Sequence, residues 1–247
     1  MYVDAHCHVD LYEDYEDVLA EAERERVYTV AVTNTPSVFW KMEALTQGSR
    51  YVRAALGLHP ELAVERQGEL VTFESLLPRT RYVGEVGLDF KRAPEASRDI
   101  QRQVFETILG VCAAGPARFI TMHSRGAEKE VIDAIRATGV RVPVLHWYSG
   151  SLQNLDRALD AGCFFSVNLS MCSTASGRRI IARVPLDRLL TETDGPFSQV
   201  EGRPSRPRDL KDLADRVANI VGSSADTIRA AVMENFTTIL REVPTTG

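Results

Sequence analysis

Lysine is scarce in this chain of 247 residues: of 29 basic side chains only Lys41, Lys91, Lys129 and Lys211 are lysines, and 34 acidic residues bring the formal charge to -5. That balance argues against a surface that coats nucleic acid non-specifically, since such binding depends on many cations displacing counterions. A local basic groove remains compatible with it. The arginine excess more often reflects genome composition than phosphate recognition. Cysteine is also sparse. Cys7, Cys112, Cys163 and Cys172 form no C-x-x-C pair, and three of them lie inside apolar stretches where a thiol behaves as a small hydrophobe. This excludes a disulfide framework and fits a reducing compartment. No apolar run reaches the length of a membrane span, and no basic segment precedes an apolar one at the N-terminus. No membrane partner and a cytoplasmic location are expected. Linkers of Pro, Gly or Ser, internal repeats and low-complexity tracts are absent too, so residues 1–247 are expected to form a single domain.

What the chain does contain is alternation. Short apolar runs occur at Tyr2–Ala5, Val27–Val32, Tyr51–Leu56, Tyr82–Val86, Arg118–Met122, Val142–Leu145, Cys163–Val167 and Leu189–Leu190. Between them, Asp14–Arg26, Phe39–Gln47, Arg98–Ala113, Ala127–Ala137 and Leu152–Ala161 have helical apolar spacing. Units of about 25 to 35 residues, each a strand and then a helix, imply parallel strands joined by crossovers; eight of them predict an α/β fold, a closed (β/α)8 TIM barrel. Gln199–Asp209 reads as a long ordered loop, and helices near Asp209–Val221 and Ala225–Leu240 end the chain.

Catalytic groups of such barrels sit at the C-terminal ends of strands. All five histidines follow predicted strands: His6 and His8 in DAHCH, His59 in GLHP, His123 in ITMHSR, His146 in VLHWYSG. Glu85 in VGEVGLD and Asp194 in LLTETDGPF take equivalent positions. A single histidine after an apolar run is more often a packing or capping residue than a ligand; the whole set at strand ends argues for a site. Alternation along a strand puts His6 and His8 on the inner face and Cys7 on the other, so Cys7 is expected in the core. Gly84 and Gly87 leave room for close backbone approach beside Glu85. Imidazole and carboxylate donors without thiolate suit zinc, manganese or magnesium, and a carboxylate can bridge two such ions.

The motifs DAHCHVD, GLHP, GEVGLDF, MHSR, LHWYSGS and TETDGPF together resemble the TatD family of metal-dependent hydrolases, over essentially the whole chain to Glu234-Asn235-Phe236. The resemblance implies a TIM barrel of the amidohydrolase type and metal-dependent DNase activity, commonly 3′ to 5′ on single strands. It implies two divalent metal ions, one held by His6, His8 and Glu85 with Asp194, the other by Glu85, His123 and His146. Asp194 would also take the proton of the attacking water, and His59 would face the substrate. Where many relatives carry G-x-x-N-x-P, this chain reads Gly202-Arg203-Pro204-Ser205-Arg206-Pro207, which bears on substrate preference. The wording ETDGPF and GRPSRP is closer to the TatD-like nuclease component of Qat anti-phage systems, which would add partner proteins of a defence complex.

Further residues complete the expectations. Arg125, Arg203 and Arg206 are candidate phosphate clamps, although an arginine near a strand end is more often a surface or ion-pair residue. Trp147 and Tyr148 are candidate base-stacking rings, and Asp89 and Asp4 candidate supports for the ligands. Two rival readings stay open: an amide or ester hydrolase on the same metal site, and a non-catalytic, metal-stabilised subunit that binds nucleic acid or partner proteins. Many binuclear amidohydrolases bridge their metals with a carboxylated lysine on the fourth strand. No lysine ends that run in this chain, and Glu85 does, which favours phosphodiester hydrolysis of DNA.

Overall fold

A computed structural model describes residues 1–92 and 94–244; the last three residues of the expected domain, 245–247, lie outside the described ones. Eight strands, β1 (Tyr2–Cys7), β2 (Val27–Ala31), β3 (Val52–Ala54), β4 (Tyr82–Gly87), β5 (Phe119–His123), β6 (Val142–His146), β7 (Phe164–Val167) and β8 (Leu189–Thr191), follow one another in space as in sequence. All neighbours are parallel, in a group of three, β1-β2-β3, and a group of five, β4 to β8. Two seams join the groups into a ring. At one, Leu56 bridges Val83 in parallel, with Leu56 N donating to the Tyr82 carbonyl at 3.0 Å and Gly84 N to that of Leu56 at 2.9 Å. At the other, Thr191 Oγ1 donates to the Val3 carbonyl at 2.5 Å, and just beyond β8 Asp194 N donates to that of His6 at 2.8 Å. The chain is an α/β TIM barrel.

Burial on both faces explains why the strands read as continuous apolar runs: β4, β6 and β7 are buried at every position. Helices α1 (Tyr15–Glu25), α2 (Pro36–Thr46), α3 (Ala63–Arg66), α4 (Leu70–Leu76), α5 (Arg98–Ala114), α6 (Glu128–Thr138), α7 (Leu152–Asp160), α8 (Leu169–Cys172), α9 (Ala175–Arg183), α10 (Leu210–Val221) and α11 (Ala225–Glu242) accompany them. The outer helices bury one stripe; α5 turns Val104, Phe105, Ile108, Leu109 and Cys112 inward. One buried apolar cluster runs from Val3 to Val243. Among the described residues no helix is long and apolar enough to cross a membrane.

Helix α11 covers the N-terminal end of the barrel. Its Phe236 meets Tyr28, near the start of β2, and Phe119, at the start of β5, with ring centroids 6.1 and 6.2 Å away. Asn235 Nδ2 donates to the carbonyls of Leu186 and Leu189 at 2.7 and 2.8 Å, tying the helix to the start of β8. Closure at this end leaves the C-terminal mouth, where the histidines lie, as the face for chemistry.

The structure contains elements the sequence pattern did not expose. Helices α3 and α4 fill the crossover before β4, and α8 and α9 the one after β7. The latter pair starts from polar caps: Asn168 accepts from Met171 N, and Thr174 from Gly177 N. The expected loop 199–209 opens with a small hairpin, Gln199–Val200 against Arg203–Pro204. Glycine is required at position 87, where φ is +139° and an added Cβ would lie 2.0 Å from the His123 carbonyl oxygen.

Candidate metal centre

The first strand presents His6 and His8 together. Its register against β2 shifts between Asp4 and Cys7, yet the two rings converge, Nε2 to Nε2 at 3.2 Å, and both side chains are buried. His6 Nδ1 lies 2.8 Å from Thr121 Oγ1, which leaves Nε2 directed at the centre. The His6 ring stacks on that of His146 at 3.8 Å, with an interplanar angle of 11°. Cys7 belongs to the apolar core, its thiol over the Gly195 carbonyl, and burial pushes that thiol well above its usual range. It stands apart from the histidines, as strand alternation requires.

Glu85 divides its carboxylate between two groups of rings. Oε2 is 3.1 Å from His8 Nε2 and 3.5 Å from His6 Nε2. Oε1 is 2.8 Å from His123 Nδ1, 2.9 Å from His146 Nε2 and 3.4 Å from His59 Nε2. Asp194 adds a second carboxylate, its Oδ1 3.6 Å from Nε2 of both His6 and His8. Burial works against charge on Glu85, but His59, His146 and His123 together hold it well below the usual carboxylate range. Burial, reinforced by His146, keeps His6 neutral with a pKa well below normal. At His146 burial is outweighed by Glu85 and Glu192, which raise it well above normal. Asp194 is pushed well above its ordinary value by burial; His146 opposes this, and Glu192 and Glu85 add to it.

The donors are imidazole nitrogens and carboxylate oxygens, the set that suits zinc, manganese or magnesium. Three triads bring ligand atoms within 4.8 Å of one another: His6 with His8 and Asp194, His6 with Glu85 and His146, and His59 with Glu85 and His123. His8 Nδ1 and His146 Nδ1 are buried without a hydrogen-bond partner among the described residues, while Nε2 of both rings faces Glu85. The residues therefore fit a divalent metal centre. The grouping differs from the expected one in two respects. His146 lies with His6 as well as with His123, because its ring stacks on His6. His59, expected only to face substrate, also reaches the shared Oε1 of Glu85, with its Nδ1 accepting from Glu61 N at 3.2 Å.

Supporting contacts set these positions. Asp4, fully buried and pushed by burial to about 7, accepts from Thr193 N at 2.8 Å and Thr193 Oγ1 at 2.7 Å, which anchors the segment carrying Asp194. Asp194 itself has φ of +47°, a left-handed conformation that aspartate tolerates better than most residues. Asp89 Oδ2 is 2.8 Å from His123 Nε2, while Oδ1 accepts from Lys91 N and Arg92 N. Burial opposes its charge, yet these bonds hold Asp89 at about 2. Sequence reasoning missed Glu192. This buried acid accepts from Trp147 N at 3.1 Å, Asn168 Nδ2 at 2.9 Å and Ser166 Oγ, and lies 3.7 Å from His146 Nδ1. Its signal was the glutamate of TETD, two residues before Asp194.

The rim departs further from expectation. Arg125 is exposed, and its side chain makes no hydrogen bond or ion pair among the described residues. Arg203 instead grips Asp209 through two bonds of 2.8 and 2.7 Å, and Arg206 pairs with Asp14 and lies over the Tyr12 ring. Arg203 thereby closes the 199–209 segment on itself, while Arg206 ties it to the start of α1. Trp147 is half-buried against the core, with φ of +36°. Tyr148 is buried, packs edge-on against Phe165 and donates to the Ser151 carbonyl, so it is withdrawn from any stacking role. Phe197, which the sequence did not single out, is 54% exposed beside His8.

Comparison with known proteins identifies the family. The family model for TatD related DNase matches residues 3–241. An uncharacterized metal-dependent hydrolase of Methanocaldococcus jannaschii is 25% identical, the match covering 95% of this chain and 94% of that protein. Deoxyribonuclease TATDN3 of Homo sapiens is 28% identical over 94% of this chain and 92% of its own length. The crystal structure of YJJV, a TatD homolog from Escherichia coli K12, superposes with a TM-score of 0.84 at 26% identity, covering 98% of both chains. With histidines and acids gathered at the mouth of a TIM barrel and the family model spanning nearly all of it, the chain belongs to the TatD-related DNase family of metal-dependent hydrolases.

Proposed function

We propose that this hydrolase cleaves phosphodiester bonds of DNA, working 3′ to 5′ from single strands or strand ends. The observation that carries the reading is the divided Glu85 carboxylate, one oxygen toward His6 and His8 and the other toward His123 and His146. In this reading His6, His8, Glu85 and Asp194 would hold one divalent ion, and Glu85, His123 and His146 would hold the second. Divalent metal bound there would supply Lewis acidity toward an attacking water and toward the non-bridging phosphate oxygens. Asp194 Oδ1, beside His6 and His8, accepts that water's proton and orients it for in-line attack. His59 and Arg125 contact the phosphate from the rim, while Asp89 and Glu192 keep His123 and His146 in place. The name of the human relative, a deoxyribonuclease, supports DNA as substrate.

The same reading treats the chain as one domain in a reducing cytoplasm, which its four buried free cysteines support. The wording ETDGPF and GRPSRP supports a place in an anti-phage complex with partner proteins. The decisive experiment incubates the purified protein and manganese, magnesium or zinc with single-stranded, 3′-overhang and 3′-recessed DNA and RNA. Release of nucleotides from DNA 3′ ends, abolished by chelator, is expected. No release of nucleotides from DNA with any of the metals refutes it, and tight binding of DNA without turnover favours the non-catalytic rival.

A further inference from the structure

Phe197 is an anomaly of the mouth. It is 54% exposed, whereas most large apolar side chains of the chain are buried. Its ring centroid lies 4.9 Å from that of His8 at 88°, so one edge or face rests on a candidate ligand while much of the phenyl surface meets solvent. Looseness of the segment does not account for this, since the backbone on either side is pinned. His8 N donates to the Gly195 carbonyl at 2.9 Å, Ser198 N to that of Asp194 at 3.0 Å, and Ser205 N to that of Ser198 at 2.9 Å. Ser198 Oγ adds a bond to the Thr193 carbonyl. An apolar ring held rigidly in water, three residues from Asp194, carries a free-energy cost that burial by a ligand would remove. The alternative aromatic at the mouth, Trp147, is already packed on the core and offers less surface.

We propose that Phe197 is the stacking platform for the nucleobase next to the scissile phosphate, and so selects strands whose bases are unpaired and free to stack. This inference rests on the phosphodiesterase reading of the same centre. A phosphate against the Glu85 and Asp194 group leaves the adjoining base to fall on a surface beside His8, and the exposed phenyl is that surface. Every base has a π-face, so the platform accepts any base while disfavouring one inside a duplex, where neighbours cover both its faces and pairing keeps it from swinging onto the ring. It is a specificity-determining contact that leaves the reacting atoms alone.

The test compares wild type, Phe197→Ala and Phe197→Trp on single-stranded oligonucleotides of one length, with either intact bases or abasic residues at the terminal three nucleotides. The readout is the ratio of kcat/KM on base-bearing over abasic strands. Metal content and melting temperature are measured alongside to establish that the exposed-site variants are folded and loaded. Phe197→Ala is expected to lower the ratio about tenfold or more, mainly through KM, the scale on which one base–aromatic stack is lost. Phe197→Trp should restore it. A ratio within twofold of wild type in Phe197→Ala, or an equal loss on both substrates, overturns the platform and leaves the nuclease reading intact. Wild-type protein that cleaves neither oligonucleotide overturns the nuclease reading itself, and the platform with it.

Discussion

Replacing Asp194 by asparagine separates the chemistry of the centre from its stability, because the two effects have opposite signs. The carboxyl is buried, lies near Glu85 and Glu192, and has a pKa well above its ordinary 3.8. A raised pKa means that in metal-free protein the folded state binds more protons than the unfolded state above about pH 4, so ionising Asp194 erodes stability as pH rises. Asparagine has nearly the same size, suits the left-handed backbone at φ of +47° and carries no charge. In chelator the variant should therefore melt at about the same temperature as wild type near pH 4. It should melt higher at pH 8, by about 2–4 °C for each kcal/mol of strain relieved in a chain of this size. With saturating metal the advantage should shrink or reverse, since the cation stabilises the carboxylate it binds. Turnover should fall about 10²-fold or more, equivalent to roughly 2.7 kcal/mol of activation free energy, the scale of losing a positioned base. Thermal melts across pH with and without metal, together with initial rates on DNA at saturating metal, provide both readouts. A wild-type rate in Asp194→Asn would refute its role as base; parallel melting curves at every pH in chelator would refute the account of its burial.

Other substitutions probe the remaining parts. Glu85→Gln should reduce bound metal from more than one equivalent to one or fewer, by elemental analysis, because Glu85 reaches both groups of histidines; unchanged metal would remove it from the bridge. Glu192→Gln places an amide donor among Trp147 N, Asn168 Nδ2 and Ser166 Oγ, so a loss of about 1–3 kcal/mol in denaturant unfolding is expected, with a lower kcat through a displaced His146. Cys7→Ala should keep most turnover at a stability loss on the order of 1 kcal/mol from a small cavity, while His8→Ala should lose turnover; equal losses in kcat would contradict the separation of the two side chains. Gly87→Ala should disturb the β4–β5 pairing beside His123 and lower both melting temperature and activity, and a crystal structure of an unperturbed variant would contradict the clash at the His123 carbonyl.

The barrel was legible in the sequence because its evidence is local. An apolar run such as Val142–Leu145 or Cys163–Val167 marks a strand buried on both faces, and a residue just past each run falls at the mouth whatever the rest of the chain does. This is why His6, His8, Glu85, His123, His146 and Asp194 could be gathered from their spacing with the strands. The same logic separated Cys7 from its histidine neighbours. Tertiary structure alone decided relations between residues far apart in the chain: which Glu85 oxygen faces which ring, how His59 joins the group, and how Leu56 and Val83 close the ring. Arg203 and Arg206 looked like phosphate contacts because a loop sequence does not reveal Asp209 and Asp14 waiting within reach. Glu192 and Phe197, both inside a quoted motif, acquired meaning only from position, one buried beneath His146 and the other left in water beside His8. Strand periodicity and residue chemistry are properties of short stretches, whereas the partner of a side chain is fixed by packing, and packing is set by the whole barrel.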